Sequence, residues 1–380
     1  MKIITGGITK PQGFKANGLC CGIRKSGKFD LGMFYSEKPC VAAGVFTKNS
    51  VVAAPLVISK KHIKNGKAQA MIVNSGNANC YTGELGLLQA YLTTEIFANK
   101  LGIAVNDVLV TSTGIIGKAL PFEKIEKAVD KLVSGLSKTG SKNFEQAILT
   151  TDLAEKEKTV EIIIGGKKVI IGGCAKGSGM IAPNMATMLG FITTDAAITP
   201  KLLKEALQKA NELSFNRITV DGCMSTNDMV TVFANGLAGN KVISTKGKDF
   251  EKFQEALNFV CLDLAKKIVL DGEGATKFIT VNIIGAKTEK HAHDMAMAVA
   301  NSNLVKTAAF GCNPNWGRVA QAVGSLGISY VNENHMKIEF SPFNKKEISI
   351  SVIFTQGKQN ATVYTSDLSN EYVRINAEYN

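Results

Sequence analysis

Residues 175–196 read AKGSGMIAPNMATMLGFITTDA. A glycine-rich loop, KGSGM (Lys176 to Met180), runs into an apolar segment in which Met185 and Met188 bracket Ala186 and Thr187. The run MLGFITTDAAI that follows has the β-branched character of a strand. A small hydroxyl residue therefore sits at the junction of a permissive loop and an apolar strand. Most threonines beside strands are structural. Thr187 also fits a sharper requirement. A threonine that becomes an N-terminus can use its own α-amino group as base, and that amine titrates near neutral pH. Ala186 is small enough to let the Thr187 hydroxyl reach its carbonyl, and KGSGM could bring other backbone amides close.

Outward from this segment, the pattern is mixed. VAAGVFTKNSVVAAPLVISKK and AQAMIVNSGNAN read as strands. LGLLQAYLTTEIFANKLG and PFEKIEKAVDKLVSGL read as helices, with Pro121 in the first turn of the latter. VEIIIGGKKVIIGG reads as a hairpin turning at Gly165-Gly166. TPKLLKEALQKANELSF is a helix with Thr199 as N-cap and Pro200 at its first position. KDFEKFQEALNFVCLDLAKKIVLDGEG and HAHDMAMAVANSNLVKTAAFG follow as two more helices, and MKIEF, EISISVIF and ATVYTS as strands. The reading is α/β with mixed or antiparallel sheets. Without a GxGxxG turn between strand and helix, a dinucleotide fold loses support. A boundary is expected near residue 284, giving a core of 1–284 and a smaller domain of 285–380.

Composition narrows the chemistry. The 380 residues are 45% hydrophobic, enough for a sizeable core. Residues 1–186 carry 24 basic against 13 acidic side chains, a balance of +11, and residues 187–380 carry 20 against 19, a balance of +1. Aromatics are not interleaved with these lysines, which argues against nucleic acid and for a solvated surface. MKIITGG contains no secretory signal and no apolar run reaches membrane length, so a cytoplasmic protein is expected. The eight cysteines form no CxxC and no zinc spacing, so reduced structural thiols and no metal are expected. Four histidines (His62, His291, His293, His335) stand outside GxSxG and HExxH contexts, which removes support for a Ser-His-Asp hydrolase or a His-bound zinc.

Other segments could serve an N-terminal nucleophile. VTSTGIIGK sets Thr113 and Gly114 in a turn-like stretch suited to an oxyanion hole, or to a plain ST turn. VLDGEGATKF sets Glu273 between two glycines, suited to an ammonium group or to an exposed turn. NSGNANCYTG and GCNPNWGRV are rich in amides and suit polar networks or tight turns, with Trp316, the sole tryptophan, read as core.

These segments resemble the ornithine acetyltransferase family, also called glutamate N-acetyltransferase. The central segment is similar to that family's self-cleavage region. GITKPQGFKANGLCCGIRKSGKFDLG, TSTGIIG, AILTTD, RITVDGCMSTND, DGEGATKF, GCNPNWGR and YTSDLSNEYVRINAEY match further motifs in order along essentially the whole chain. The resemblance implies cleavage between Ala186 and Thr187 into an α chain, 1–186, and a β chain from 187. It implies Thr187 as nucleophile and Thr113 with Gly114 as oxyanion hole. Thr150, Lys176, Thr187, Glu273 and Asn376 would contact substrate, with Thr151 a near alternative to Thr150. Family members continue one or two residues beyond RINAEY with a hydroxyl residue; here the corresponding contact falls to Asn380 or to the terminal carboxylate, or is lost. Cys223 and Asn313 stand where acidic residues are common.

The implied reaction moves acetyl from N2-acetylornithine to glutamate through acetyl-Thr187, with no cofactor and with acetyl-CoA as a further candidate donor. The implied fold is a layered α-β-β-α-type core like that of N-terminal-nucleophile enzymes, plus a smaller C-terminal α/β domain, with two αβ pairs in a heterotetramer. The alternative is a self-processed aminopeptidase or amidase with water as acceptor. A third reading is an uncut basic α/β protein that binds an anionic ligand or RNA.

Overall fold

The computed structural model describes residues 1–182 and 188–378. In chain order its first elements are β1 (Lys2–Ile4), β2 (Phe14–Leu19), β3 (Leu31–Phe46), α1 (Ala54–His62), β4 (Lys67–Asn77), α2 (Gly83–Leu101), β5 (Val108–Ile115), α3 (Phe122–Ser134) and α4 (Ser141–Ile148). They are followed by β6 (Lys156–Ile164), β7 (Lys167–Lys176), β8 (Leu189–Thr194), α5 (Pro200–Glu212), β9 (Ile218–Thr219), β10 (Met229–Ala234) and α6 (Lys248–Leu270). The last stretch holds β11 (Phe278–Ala286), α7 (Glu289–Asn301), α8 (Asn303–Phe310), α9 (Trp316–Gly324), β12 (Met336–Phe340), β13 (Glu347–Phe354), β14 (Gln359–Ser366) and α10 (Asn370–Glu378). They fall into two units, one of residues 1–177, 188–216 and 224–264, the other of 178–182, 217–223 and 265–378.

In the first unit one nine-stranded sheet runs β1-β6-β7-β8-β10-β3-β4-β5, with β2 also on β3. β3 is sixteen residues long, and its two halves have different neighbours. Leu31–Ser36 pairs with β2 and Val41–Phe46 with β10, while the register with β4 breaks between Tyr35 and Cys40. A bulge of this kind bends a strand. The bend folds the sheet back on itself. Phe34 of β3 meets Phe233 of β10 and Phe191 of β8 edge to face at 4.9 and 6.0 Å, although none of these residues are ladder partners. Phe34, Met71, Val73 and Leu109 thus share an interior with Leu189, Phe191, Met229 and Phe233. Their alternating neighbours Met33, Ala70, Ile72, Val108 and Val110 face α2 and α3 on the outside. Beyond β7 and β8, a Cβ on Gly173 would stand 3.0 Å from Leu264 and Val260 of α6. Helix, sheet, sheet, helix is the expected layering, and each buried phenylalanine in its middle contributes about 1.5–3 kcal/mol.

The second unit is a five-stranded sheet, β12-β13-β11-β14-β9. Ile279, Val281 and Ile283 alternate inward from β11 and pack with Ala292, Met295, Ala296 and Val299 of α7.

Local chemistry explains most elements. The hairpin of β6 and β7 turns through Gly165 and Gly166, at φ +55° and +77°, both in the region glycine tolerates best. Thr199 stands at the N-cap position of α5 with Pro200 after it, although its hydroxyl makes no capping bond. Three expectations are corrected. VVAAPLVISKK holds helix α1 rather than a strand, because Pro55 favours the first helical turn and cannot donate to a ladder. Pro121 stands at the N-cap position of α3, one place earlier than expected. The segment from His291 to Gly311 is two helices, broken at Ser302, whose hydroxyl caps the Val305 amide at 3.3 Å. Within the second unit, β11 is paired on both sides, by β13 and β14.

Candidate active site

Lys176 ends β7, opposite Leu189 of β8. Strand pairing buries its stem to 8% exposure. Its Nζ donates to Thr150 Oγ1 at 2.7 Å and to Thr113 Oγ1 at 3.4 Å, and lies 3.7 Å from Asp152 Oδ2. Asp152 is also 2.7 Å from Lys156 Nζ and accepts the amides of Gly177 and Thr150 at 2.6 and 3.1 Å. Burial alone would push the Asp152 carboxyl up, but the two ammonium groups and these hydrogen bonds hold it well below the usual carboxylate range. One aspartate thus serves two lysines, and the group retains positive character beside the Thr113 and Thr150 hydroxyls.

Thr113 and Gly114 lie in the last turns of β5 rather than in a separate turn. The pairing of β4 with β5 breaks at Gly76 and Asn77, which brings two backbones together at Gly114. Gly114 has φ +134°, and a Cβ there would stand 2.4 Å from the Gly76 carbonyl carbon. Only glycine fits. The strand end is held further by Asn227, whose Nδ2 donates to the carbonyls of Ser112 and Ala78 at 2.8 and 2.7 Å. The amides of NSGNANCYTG also serve here, as Ser112 donates to Asn74 Oδ1 at 2.5 Å. Arg24 donates to the carbonyls of Leu149 and Thr150 at 2.9 and 3.2 Å, and so fixes the segment that carries Thr150.

The second unit holds the other expected residues. Glu273 is 8% exposed, not an exposed turn. Its amide donates to the Ser178 carbonyl at 3.0 Å, and Asn376 Nδ2 of α10 donates to its Oε2 at 2.9 Å. A Cβ on Gly179 would meet the Glu273 carboxyl at 2.1 Å, so the glycine of KGSGM makes room for that carboxylate. Asp221 accepts the amides of Met180 and Ile181 at 2.6 and 2.9 Å, and the Tyr372 hydroxyl donates to it at 3.3 Å. Burial first, and the Asp221 charge second, push the Tyr372 hydroxyl far above its ordinary pKa. The chain leading to the expected cleavage point is thereby pinned at Ile181, whose carbonyl also accepts from Val220 and Thr219.

Ala186, Thr187 and Asn380 lie outside the described residues. Asp152, Asp221, Asn227 and Tyr372 had no assigned role from sequence, though all stand in quoted motifs; Lys156, four residues after Asp152, was the available signal for the first. Trp316 is 69% exposed and is not a core residue. All eight cysteines are free thiols. His62 is buried with Nδ1 2.8 Å from the Val108 carbonyl, a packing role. A cavity of about 440 Å³ in the first unit, lined by Lys10, Lys142, Glu145 and Glu157 among others, shares no residue with the Lys176 group.

Residues 15–380 match the ArgJ family. The chain belongs to that family. A Bacillus subtilis ArgJ relative, the arginine biosynthesis bifunctional protein ArgJ, is 46% identical over 396 residues, covering 99% of this chain and 97% of its own. Among solved structures, an ArgJ protein from Bacillus halodurans is 43% identical, covering 49% of this chain and 96% of its own, with a TM-score of 0.46. An ornithine acetyltransferase from Mycobacterium tuberculosis, complexed with ornithine, is 35% identical, covering 48% of this chain and 98% of its own, with a TM-score of 0.44. No described helix is long and apolar enough to cross a membrane.

Proposed function

We propose that this chain is a self-processing acetyltransferase of arginine biosynthesis, moving acetyl from N2-acetylornithine to glutamate. The observation that carries this reading is the family match over residues 15–380 with near-complete coverage of the Bacillus relative. The Thr187 hydroxyl attacks the Ala186 carbonyl; the C–N bond breaks as an ester C–O bond forms. Water hydrolyses that ester, leaving a carboxylate on Ala186 and a free hydroxyl and amine on Thr187. The hydroxyl next attacks the acetyl carbonyl of N2-acetylornithine, passing its proton to the Thr187 amine. Ornithine leaves with that proton and acetyl-Thr187 remains. Glutamate attacks the ester and departs as N-acetylglutamate, and the hydroxyl regains its proton. Both amino acids can use one site because they share α-amino and α-carboxyl groups.

Thr113 and Gly114 serve the oxyanion in this scheme, a donor of this kind being worth roughly 2.7–4 kcal/mol. Lys176 takes the substrate carboxylate, an assignment supported by its residual positive surroundings, and Glu273 takes the δ-ammonium of ornithine. Thr150, Asn376 and Asn380 complete the contacts. The scheme needs no cofactor, and acetyl-CoA is a second donor that would form the same ester. Two pairs of 1–186 and 187–380 assemble as a cytoplasmic heterotetramer. Denatured masses and an acetyl-transfer assay on Thr187→Ala test the reading: the variant is expected uncut and inactive. An uncut variant with wild-type transfer would sink it.

A further inference from the structure

Arg24 takes no chemical step in the transfer, yet it reaches two segments that the functional reading places around the substrate. It lies between β2 and β3, in the run CCGIRKSGKFD. A buried aspartate fixes this loop. The Asp30 carboxylate accepts the amides of Cys21, Gly22 and Arg24 at 2.6, 3.1 and 2.8 Å. The Asp30 carbonyl accepts the amide of Ser75, one residue before Gly76 of β4, at 2.9 Å. The loop is thereby locked to β4, and the departure point of the Arg24 stem is set by backbone hydrogen bonds.

The stem and the guanidinium meet different segments. A Cβ on Gly76 would stand 2.6 Å from Arg24 Cγ and 3.6 Å from its Cδ, so the methylenes lie against the Gly76 backbone. Gly76 is in turn the register partner of Gly114, where a Cβ would stand 2.4 Å from the Gly76 carbonyl carbon. Arg24 stem, Gly76 and Gly114 are in successive contact, and neither glycine leaves room for a side chain. Past the stem, Nη1 donates to the Leu149 carbonyl at 2.9 Å and Nη2 to the Thr150 carbonyl at 3.2 Å. Leu149 closes α4, and the last carbonyls of a helix favour a cation. The planar guanidinium spans two successive carbonyls, a fork that an ammonium lacks. The Thr150 amide donates to Asp152 at 3.1 Å and its hydroxyl accepts from Lys176 at 2.7 Å. Each polar group of Thr150 is thus held, and Arg24 holds the carbonyl.

We propose that Arg24 is a positioning residue with two separable effects: its guanidinium holds Thr150, and through it Lys176, for the substrate carboxylate, and its stem holds Gly76 against Gly114 for the oxyanion. The proposal rests on the reading of Thr113, Gly114, Thr150 and Lys176 as part of the substrate site. Arg24→Met keeps most of the stem and removes the fork, Arg24→Ala removes both, and Arg24→Lys keeps a charge for one carbonyl. The melting temperature, kcat, and KM for N2-acetylornithine and for glutamate are measured on the purified proteins. Arg24→Met is expected to raise both KM values about 10- to 100-fold, through loss of charge-assisted hydrogen bonds, with kcat within about threefold of wild type. Arg24→Ala is expected to add a fall in kcat of roughly 10- to 100-fold, from misplacement of the oxyanion segment. Arg24→Lys should give KM values between wild type and Arg24→Met, and melting temperatures should stay within about 3 °C. An arginine that served stability alone would not separate KM from kcat. Wild-type KM values in Arg24→Met, or equal losses of kcat in Arg24→Met and Arg24→Ala, overturn the proposal alone. If those two variants do not fold, Arg24→Lys decides: raised KM values support the proposal, and wild-type KM values or a third unfolded protein overturn it. A wild type that transfers no acetyl overturns the functional reading and this proposal with it.

Discussion

Two polar regions of the molecule solve the burial of charge in opposite ways. Around Lys176, in the first unit, two lysines share one aspartate, and the remaining partners of Lys176 include the hydroxyls of Thr113 and Thr150. Around Glu273, in the second, the carboxylate meets an amide, Asn376, and Asp221 meets backbone amides and a phenol. Buried charges are costly unless paired and hydrogen-bonded. The first region sets two lysines on one aspartate; the second holds its carboxylates with an amide, backbone amides and a phenol, with the Lys306 ammonium also acting on Asp221. A lysine ammonium beside two hydroxyls suits a carboxylate, and a carboxylate held by an amide side chain suits an ammonium.

Asp152→Ala strikes the first region hardest. It leaves Lys156 and Lys176 buried without their shared anion and is expected to cost about 3–5 kcal/mol in urea unfolding. A smaller loss would mean that the lysines reach other partners. The same carboxyl sets a pH dependence. Its folded pKa lies below its unfolded value, so its stabilisation is complete above about pH 4 and is lost as pH falls through the folded pKa. Asp152→Asn should flatten that acid limb of the stability curve.

Gly114→Ala comes next. Its Cβ would collide with the Gly76 backbone, which cannot swing aside as a side chain can. Displacing one oxyanion donor should lower kcat by about 100- to 1,000-fold, and wild-type kcat would remove Gly114 from the proposed site. Glu273→Gln tests the sign difference directly. KM for N2-acetylornithine should rise about 10- to 100-fold, the loss of a charge-assisted hydrogen bond. KM for glutamate, which lacks the δ-ammonium, should change less than about threefold. Lys176→Met should raise both. Equal effects of the two variants on both substrates would erase the distinction between the regions. Tyr372→Phe is the mildest: one hydrogen bond of 3.3 Å to Asp221 is lost, for about 0.5–1.5 kcal/mol of stability.

Much of the local structure was legible in the chain itself. The Gly165-Gly166 hairpin and the helix opening at Thr199-Pro200 follow from dihedral preferences within a few residues. The amphipathic helices and alternating strands follow from periodicity. Where that reasoning failed, a neighbouring preference won: Pro55 turned an apolar run into helix α1, and Ser302 capped a new helix inside an apparently continuous one. The order of motifs around Thr187 was also readable, and it led to the family. Which side chains share a charge was not. Lys176 meets Thr113 across 63 residues, Asn376 meets Glu273 across 103, and Asn227 holds the Ser112 carbonyl across 115. Such contacts depend on strand order and on the bend in β3, which no local preference encodes. Sequence determined the elements and the kind of chemistry; only the tertiary structure decided the partners of each charge, because electrostatic pairing depends on distance in space and burial, not on position along the chain.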